Sequence, residues 1–314
     1  MSTLLLTHPD CLNHVTPPGH PERVDRLKSI AAALADPAFD ALVREDAPLA
    51  PLAAIARVHP QRYIDKVQAA EPATGYASLD GDTHLSPGSF NAALRGAGAN
   101  LRAVDQVLSG AVANAFCGCR PPGHHAETET AMGFCLFGNV VVGARHALEN
   151  HGLSRVAIVD FDVHHGNGTQ DLVWDDERIF FVSSHQMPLY PGSGHAHETG
   201  AHGQILNVPL PPNSGSLEFR RSFERMVFPA LNDFAPDLLL ISAGFDAHAA
   251  DPLANLNLTE DDFVWVTEKL CDIADQHCGG RIVSTLEGGY DLDALAASTA
   301  AHIKVLMKRG ANNG

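Results

Sequence analysis

The segment Asp160-Phe161-Asp162-Val163-His164-His165-Gly166-Asn167-Gly168 sets carboxylates and imidazoles two residues apart, directly after the apolar run Val156–Val159. In extended chain alternate residues share a face, so Asp160, Asp162 and His164 point the same way and can address one ion. Gly166 and Gly168 allow a sharp turn just beyond them. A catalytic zinc site takes three protein ligands and keeps a fourth position open to water. Asp162 and His164 offer two of these. Asp246 offers the third: it follows the strongly apolar run Leu238–Ser242, where a carboxylate is costly unless paired or bound to a metal. Iron(II) also suits an Asp/His/Asp set. The plainer alternatives, for each taken alone, are a hydrogen-bonded Asp/His-rich turn for the first segment and a helix cap or surface turn for Asp246.

Two further segments carry proton chemistry. In Arg120-Pro121-Pro122-Gly123-His124-His125-Ala126 the prolines stiffen the approach to adjacent histidines suited to acid–base work. Each imidazole needs an orienting partner on its other nitrogen, and Asp160 and Asn167 are the candidates. A carboxylate raises the basicity of its histidine more than an amide does, so the two should titrate apart. In Glu287-Gly288-Gly289-Tyr290-Asp291 two glycines permit a tightly placed phenol whose hydroxyl can donate to a developing oxyanion. The plainer alternatives are a structural histidine pair and a common Gly-Gly turn.

Placing these groups together requires elements that end at one place. Short, nearly continuous apolar runs predict strands over Val112–Cys117, Val156–Phe161, Ile179–Ser184, Ile205–Val208, Leu238–Ser242 and Ile282–Leu286. Helices are predicted over Pro21–Leu34, Gln61–Ala70, Ser89–Leu108, Val140–Asn150, Leu217–Asn232, Glu260–Gln276 and Leu292–Met307, with Thr259 as an N-cap. The alternation argues α/β architecture, a mainly parallel sheet covered by helices on both faces, in a single domain over residues 1–314. Ligands of such sheets bind beyond the carboxyl ends of the strands. His124, the Asp160–His164 group, His185, Asp246 and Tyr290 each follow a predicted strand there.

Composition narrows the function classes. The 314 residues are 45% hydrophobic and 18% charged, enough for a sizeable core, with a formal net charge of -16. Such acidity argues against a nucleic-acid partner and would steer cationic ones, although it also serves solubility alone. No apolar run approaches the ~20 residues of a bilayer span, which argues against a membrane partner. Met1 to Asp10 lacks the basic start and apolar stretch of a secretory leader. Six cysteines in this length fit reduced thiols of a cytoplasmic protein better than a disulfide scaffold.

Together these segments, with His20-Pro21-Glu22-Arg23, Gly133-Phe134-Cys135 and Ser242-Ala243-Gly244-Phe245-Asp246-Ala247-His248, resemble the histone deacetylase family. They lie nearer its class II branch and bacterial amidohydrolase relatives, and the resemblance spans about residues 8 to 306. It implies the arginase–deacetylase fold, one zinc ion on Asp162, His164 and Asp246, and His124 and His125 backed by Asp160 and Asn167. Class I members usually carry aspartate where Asn167 stands. Tyr290 matches the catalytic tyrosine that some class II members replace with histidine. Phe134 and Tyr190 match two aromatic walls of a substrate tunnel, the second usually phenylalanine, with Gly133, Leu253 and Gly289 beside the substrate. Arg23 matches an arginine at an inner acetate cavity. A structural potassium is implied on the Asp160, Asp162 and His164 carbonyls with Ser183 and Ser184. Bacterial relatives often form dimers or tetramers, so a homo-oligomer is implied as well.

The resemblance implies hydrolysis of an acyl group from lysine of a protein or peptide. An acetylpolyamine amidohydrolase shares the chemistry. The animal polyamine-selective type has glutamate after the Asp-Pro that follows the third ligand, where Leu253 stands here; Asp80 and Asp82 remain a possible acidic gate. A two-manganese ureohydrolase would need more carboxylates and leaves Tyr290 idle. A non-catalytic acyl-lysine binding module should have lost part of the machinery. The loop Gln186–Gly203 is a candidate rim of the tunnel.

Overall fold

Every strand that positions a functional group is buried along its whole length, and parallel pairing with helices above and below is what buries both faces. The computed structural model describes residues 2–312. Its strands are β1 (Thr3–Thr7), β2 (Val43–Asp46), β3 (Ala77–Ser78), β4 (His84–Leu85), β5 (Asn114–Cys117), β6 (Val156–Asp160), β7 (Ile179–Gln186), β8 (Ile205–Leu210), β9 (Leu238–Ala243) and β10 (Ile282–Leu286). Its α-helices are α1 (Asp25–Ala33), α2 (Leu52–Ile55), α3 (Gln61–Ala69), α4 (Ser89–Leu108), α5 (Asn139–Asn150), α6 (Asn167–Val173), α7 (Ser216–Ser222), α8 (Phe228–Phe234), α9 (Glu260–His277) and α10 (Leu292–Asn312). Eight strands form one sheet in the order β2-β1-β5-β10-β9-β6-β7-β8. All its neighbours pair in parallel. The α/β expectation therefore holds, and β3 and β4 form a separate antiparallel ribbon.

Alternation along the strands divides the core. Leu4, Leu6, Ile158, Leu238, Leu240 and Val283 pack under α4 and α5. Leu5, Phe116, Val159, Leu239, Ile241 and Ile282 pack against α1, α9 and α10 on the other face. Four adjacent central strands, β5, β10, β9 and β6, end where the chemistry-bearing segments begin. Among the described residues, no helix is long and apolar enough to cross a membrane.

Three departures from expectation have physical causes. The strands β1 and β2 were not predicted: β1 has only three consecutive leucines, and β2, Val-Arg-Glu-Asp, is a largely exposed edge with no apolar pattern. The helix expected over Leu217–Asn232 is interrupted by a π-turn at Phe223–Val227 between α7 and α8. Pro229 cannot donate to the turn before it, and the widened turn accommodates its ring. The Asn167–Gly168 portion of the polar motif, read as a turn, opens α6.

Candidate metal and acid–base centre

Asp162 lies two residues past β6, and its Oδ1 accepts the His164 backbone N–H at 2.9 Å, closing a turn that doubles the imidazole back. His164 Nδ1 then sits 3.1 Å from Asp162 Oδ1 and 3.1 Å from Asp246 Oδ2. One donor atom from each of the three lies within 4.8 Å of the others. The remaining carboxylate oxygens are fixed by backbone: Gly288 N–H donates to Asp162 Oδ2 at 2.8 Å, and Val163 N–H to Asp246 Oδ1 at 2.9 Å. Gly288 is required here, because a Cβ would stand 2.1 Å from Asp246 Oδ2 and 2.5 Å from Asp162 Oδ2.

The donor set fits a divalent ion. Both carboxylates are buried, and burial followed by repulsion from Asp162 pushes Asp246 up to about 7. Two carboxylates held face to face around one imidazole leave excess negative charge away from water, which a zinc ion would neutralise.

The tandem histidines stand beside this group, their ring centroids 4.0 Å apart. His124 Nδ1 is 2.9 Å from Asp160 Oδ2, and its Nε2 faces Asp162 Oδ2 at 3.8 Å. His125 Nδ1 is 2.7 Å from Asn167 Oδ1. Asn167 Nδ2 donates to Glu127 Oε1 at 2.8 Å, so the amide oxygen must face His125. His125 Nδ1 therefore carries the proton, and its Nε2 keeps a free lone pair. Burial opposes charge on His124, but Asp162 and Asp160 hold it well above the ordinary imidazole range. Burial, then the positive His124 and His164, hold His125 well below that range. The expected split between the two thus has a structural cause. Glu287, buried and pushed up to about 7 by that burial, accepts the N–H of Gly123 at 2.7 Å and of His124 at 3.2 Å. Glu127 was not singled out in the sequence, and the motif headed by Glu287 was read for its glycines and tyrosine; only the spatial neighbourhood gives these two carboxylates their partners.

Tyr290 faces the centre from the β10 side. Burial, against the pull of Arg26, keeps its phenol well above the ordinary range, so it stays a protonated donor. Its support corrects the expectation for Arg23. The Arg23 side chain is 49% exposed and lies 3.7 Å from Asp25, at the surface. The buried guanidinium is Arg26. It donates from Nε to Gly289 O at 2.6 Å, also to Glu287 O, and from Nη1 to Glu22 Oε1 at 3.0 Å. Its Cζ lies 5.0 Å from the Tyr290 ring centroid. Helical phase explains the difference: Arg26 shares the inward face with Ile30, whereas Arg23 precedes α1. Arg26→Lys keeps the charge but loses the planar fork. It should lower kcat by up to about 10²-fold through a displaced Tyr290. Arg23→Ala should leave kcat unchanged, and steady-state rates of the two variants check the correction.

A cavity of about 260 Å³ leads to the centre, lined by Asp82, His125, Gly133, Phe134, His164, Leu189, Tyr190, Leu253 and Tyr290. Gly133, Phe134, Tyr190 and Leu253 therefore stand where a substrate chain would lie. Gly289 stands behind Tyr290, its carbonyl on Arg26. Phe134 meets Tyr290 edge to face at 5.9 Å and Tyr190 meets His125 at 5.2 Å. Phe134 adopts a positive φ of 68°, held by Thr83 Oγ1, which accepts its N–H at 3.0 Å, while Asp82 Oδ1 accepts the Gly133 N–H at 3.1 Å. Gly133 must lack a side chain, since a Cβ would stand 2.4 Å from His125 Cδ2. Asp80 turns into its own loop, accepting the N–H groups of Asp82 and Thr83. The loop after β7 contributes Leu189 and Tyr190 to the rim. His185, read as a strand-end group, instead lies within β7, bonded to Ser183 Oγ at 3.0 Å and Gly194 O at 2.9 Å. Ser183 and Ser184 are buried in β7.

Residues 20–306 match the family model described as the histone deacetylase domain. A histone deacetylase-like amidohydrolase of Pseudomonas aeruginosa is 41% identical over 286 residues, covering 88% of this chain and 74% of that one. A probable deacetylase of Archaeoglobus fulgidus is 36% identical over 313 residues, covering 98% and 86%. The crystal structure of the HDA15 HD domain superposes with a TM-score of 0.93 at 35% identity, covering 98% of this chain and 89% of that one.

Proposed function

The chain belongs to the histone deacetylase family, and from that premise we propose that it is a zinc-dependent hydrolase removing acetyl groups from the side-chain amine of acyl-lysine in proteins or peptides. The observation that carries this reading is the convergence of Asp162, His164 and Asp246 beside a split-basicity histidine pair, at the end of a cavity walled by Phe134 and Tyr190. A zinc ion held by the three ligands would supply Lewis-acid polarisation of the amide carbonyl and acidify a water.

The protein's own groups perform the proton transfers. His125 accepts the proton of the attacking water at Nε2 while its Nδ1–H stays on Asn167. The water oxygen bonds to the acyl carbon, and the Tyr290 hydroxyl donates to the oxygen that gains charge. As the C–N bond breaks, His125 returns its proton to the leaving amine. His124, locked on Asp160, stays positive throughout and favours the negative transition state. Acetic acid and the free amine result, and the acid gives its proton to the amine, so that acetate and an ammonium ion leave.

The second reading, an acetylpolyamine substrate, is favoured by Asp82 on the cavity wall. Against it, Asp82 is already engaged with Gly133, and Leu253 puts an apolar side chain at the same wall. The kcat/KM for an acetyl-lysine peptide should exceed that for acetylspermidine by roughly tenfold or more on one metal-assayed sample. The reverse order would transfer the assignment to polyamines.

The proposal includes two lesser elements. A potassium ion on the Asp160, Asp162 and His164 carbonyls fits the buried Ser184 Oγ, which has no hydrogen-bond partner among the described residues. A cytoplasmic location fits six cysteines that are all unpaired.

A further inference from the structure

At the opposite edge of the sheet stands a second Asp/His group that deacetylation does not use. The helices α4 and α5 cover the same face, and each ends just before a strand begins: α4 at Leu108 ahead of β5, α5 at Asn150 ahead of β6. Their C-termini therefore lie at the amino edge of the strands, whereas Asp162, His164 and Asp246 follow the carboxyl edge. Asp105, in the last turn of α4, places Oδ1 2.7 Å from His146 Nε2 and 2.7 Å from His151 Nε2. The two rings meet edge to face with centroids 5.2 Å apart. They converge on the same oxygen although the carboxylate offers two. One donor atom from each residue lies within 4.8 Å of the others.

We propose that Asp105, His146 and His151 form a second divalent-metal site, taking zinc or a similar borderline transition ion, that clamps the C-terminal ends of α4 and α5. One carboxylate oxygen and two imidazole nitrogens are a zinc-type donor set. Tetrahedral zinc with bonds near 2.0–2.2 Å sets its donors roughly 3.3 Å apart, so the observed contacts must open by about half an ångström. Side-chain rotation supplies that movement, because Asp105 and His151 are 44% and 29% exposed and His146 14%. Two helix C-termini meet here, and the negative ends of their dipoles favour a cation. Both sites offer three protein ligands, but these three reach solvent whereas Asp162, His164 and Asp246 are buried, so the ion at this site exchanges faster than one in the buried centre.

The full chain, stripped with a chelator, reloaded with zinc and dialysed, should hold two zinc ions by elemental analysis. His146→Ala/His151→Ala should hold one and keep the kcat/KM of the unaltered protein on an acetyl-lysine peptide, and His151→Gln alone should also hold one. Asp246→Ala should likewise hold one; loaded with cobalt(II), it should show tetrahedral visible bands that vanish when His146→Ala/His151→Ala is added. One zinc in the unaltered chain that survives His146→Ala/His151→Ala overturns the proposal. So does a second ion that persists in that variant. Failure of the principal centre looks different: a single zinc that disappears with His146→Ala/His151→Ala.

Discussion

His125→Ala should lower kcat for an acetyl-lysine peptide by about 10²–10⁴-fold, the usual contribution of a positioned acid–base group. The expectation rests on one nitrogen. Glu127 fixes the Asn167 amide, Asn167 fixes the Nδ1–H of His125, and only Nε2 is left to take a proton. Burial and the neighbouring positive charges hold His125 well below the ordinary range, so it is present as the base at neutral pH. Zinc content should not change, because His125 is no ligand of the Asp162 centre. Stopped assays of peptide hydrolysis with parallel metal analysis check this. A variant that turns over at the full rate would remove His125 from the chemistry.

Tyr290→Phe should cost about 10²–10³-fold in kcat with KM and bound zinc little altered. The substitution deletes one hydroxyl and leaves the ring that Arg26 and Phe134 contact. What is lost is therefore the oxyanion donor and not the wall of the cavity. An equal loss of zinc would mean that the hydroxyl supports the metal site, and an unchanged kcat would mean that it donates to nothing in the transition state.

Much of this centre was legible from residue type: Asp160, Asp162 and His164 crowd the carboxyl end of β6, and Asp246 stands out as a carboxylate after an apolar run. The expected alternation of extended chain does not give them their common face, because the chain bends after Asp160 and a turn closed by Asp162 brings the His164 imidazole back. Their meeting was expected from the strand ends and the resemblance, but not the geometry that produces it. It depends on β5, β10, β9 and β6 lying side by side, an order that no local pattern encodes. Arg23 closes the motif His20-Pro21-Glu22-Arg23 and was chosen for that, whereas the buried guanidinium is Arg26, three residues on, because only Arg26 lies on the inward face of α1. The partners Glu127 and Glu287 come from distant segments that touch Asn167 and His124 only after folding. His185 shows the opposite error: a strand-end histidine that looked chemical is spent on Ser183 and Gly194 inside β7. The edge strand β2 left no signal because an exposed edge has no apolar face to display.

The most direct measurement is hydrolysis of an acetyl-lysine peptide by protein stripped of metal and then titrated with zinc, beside Asp246→Ala treated identically. The rate should fall to background on stripping, return with zinc in the unaltered protein, and never return in the variant. Full turnover by metal-free protein, or zinc-restored turnover without Asp246, would contradict a reaction built on Asp162, His164 and Asp246.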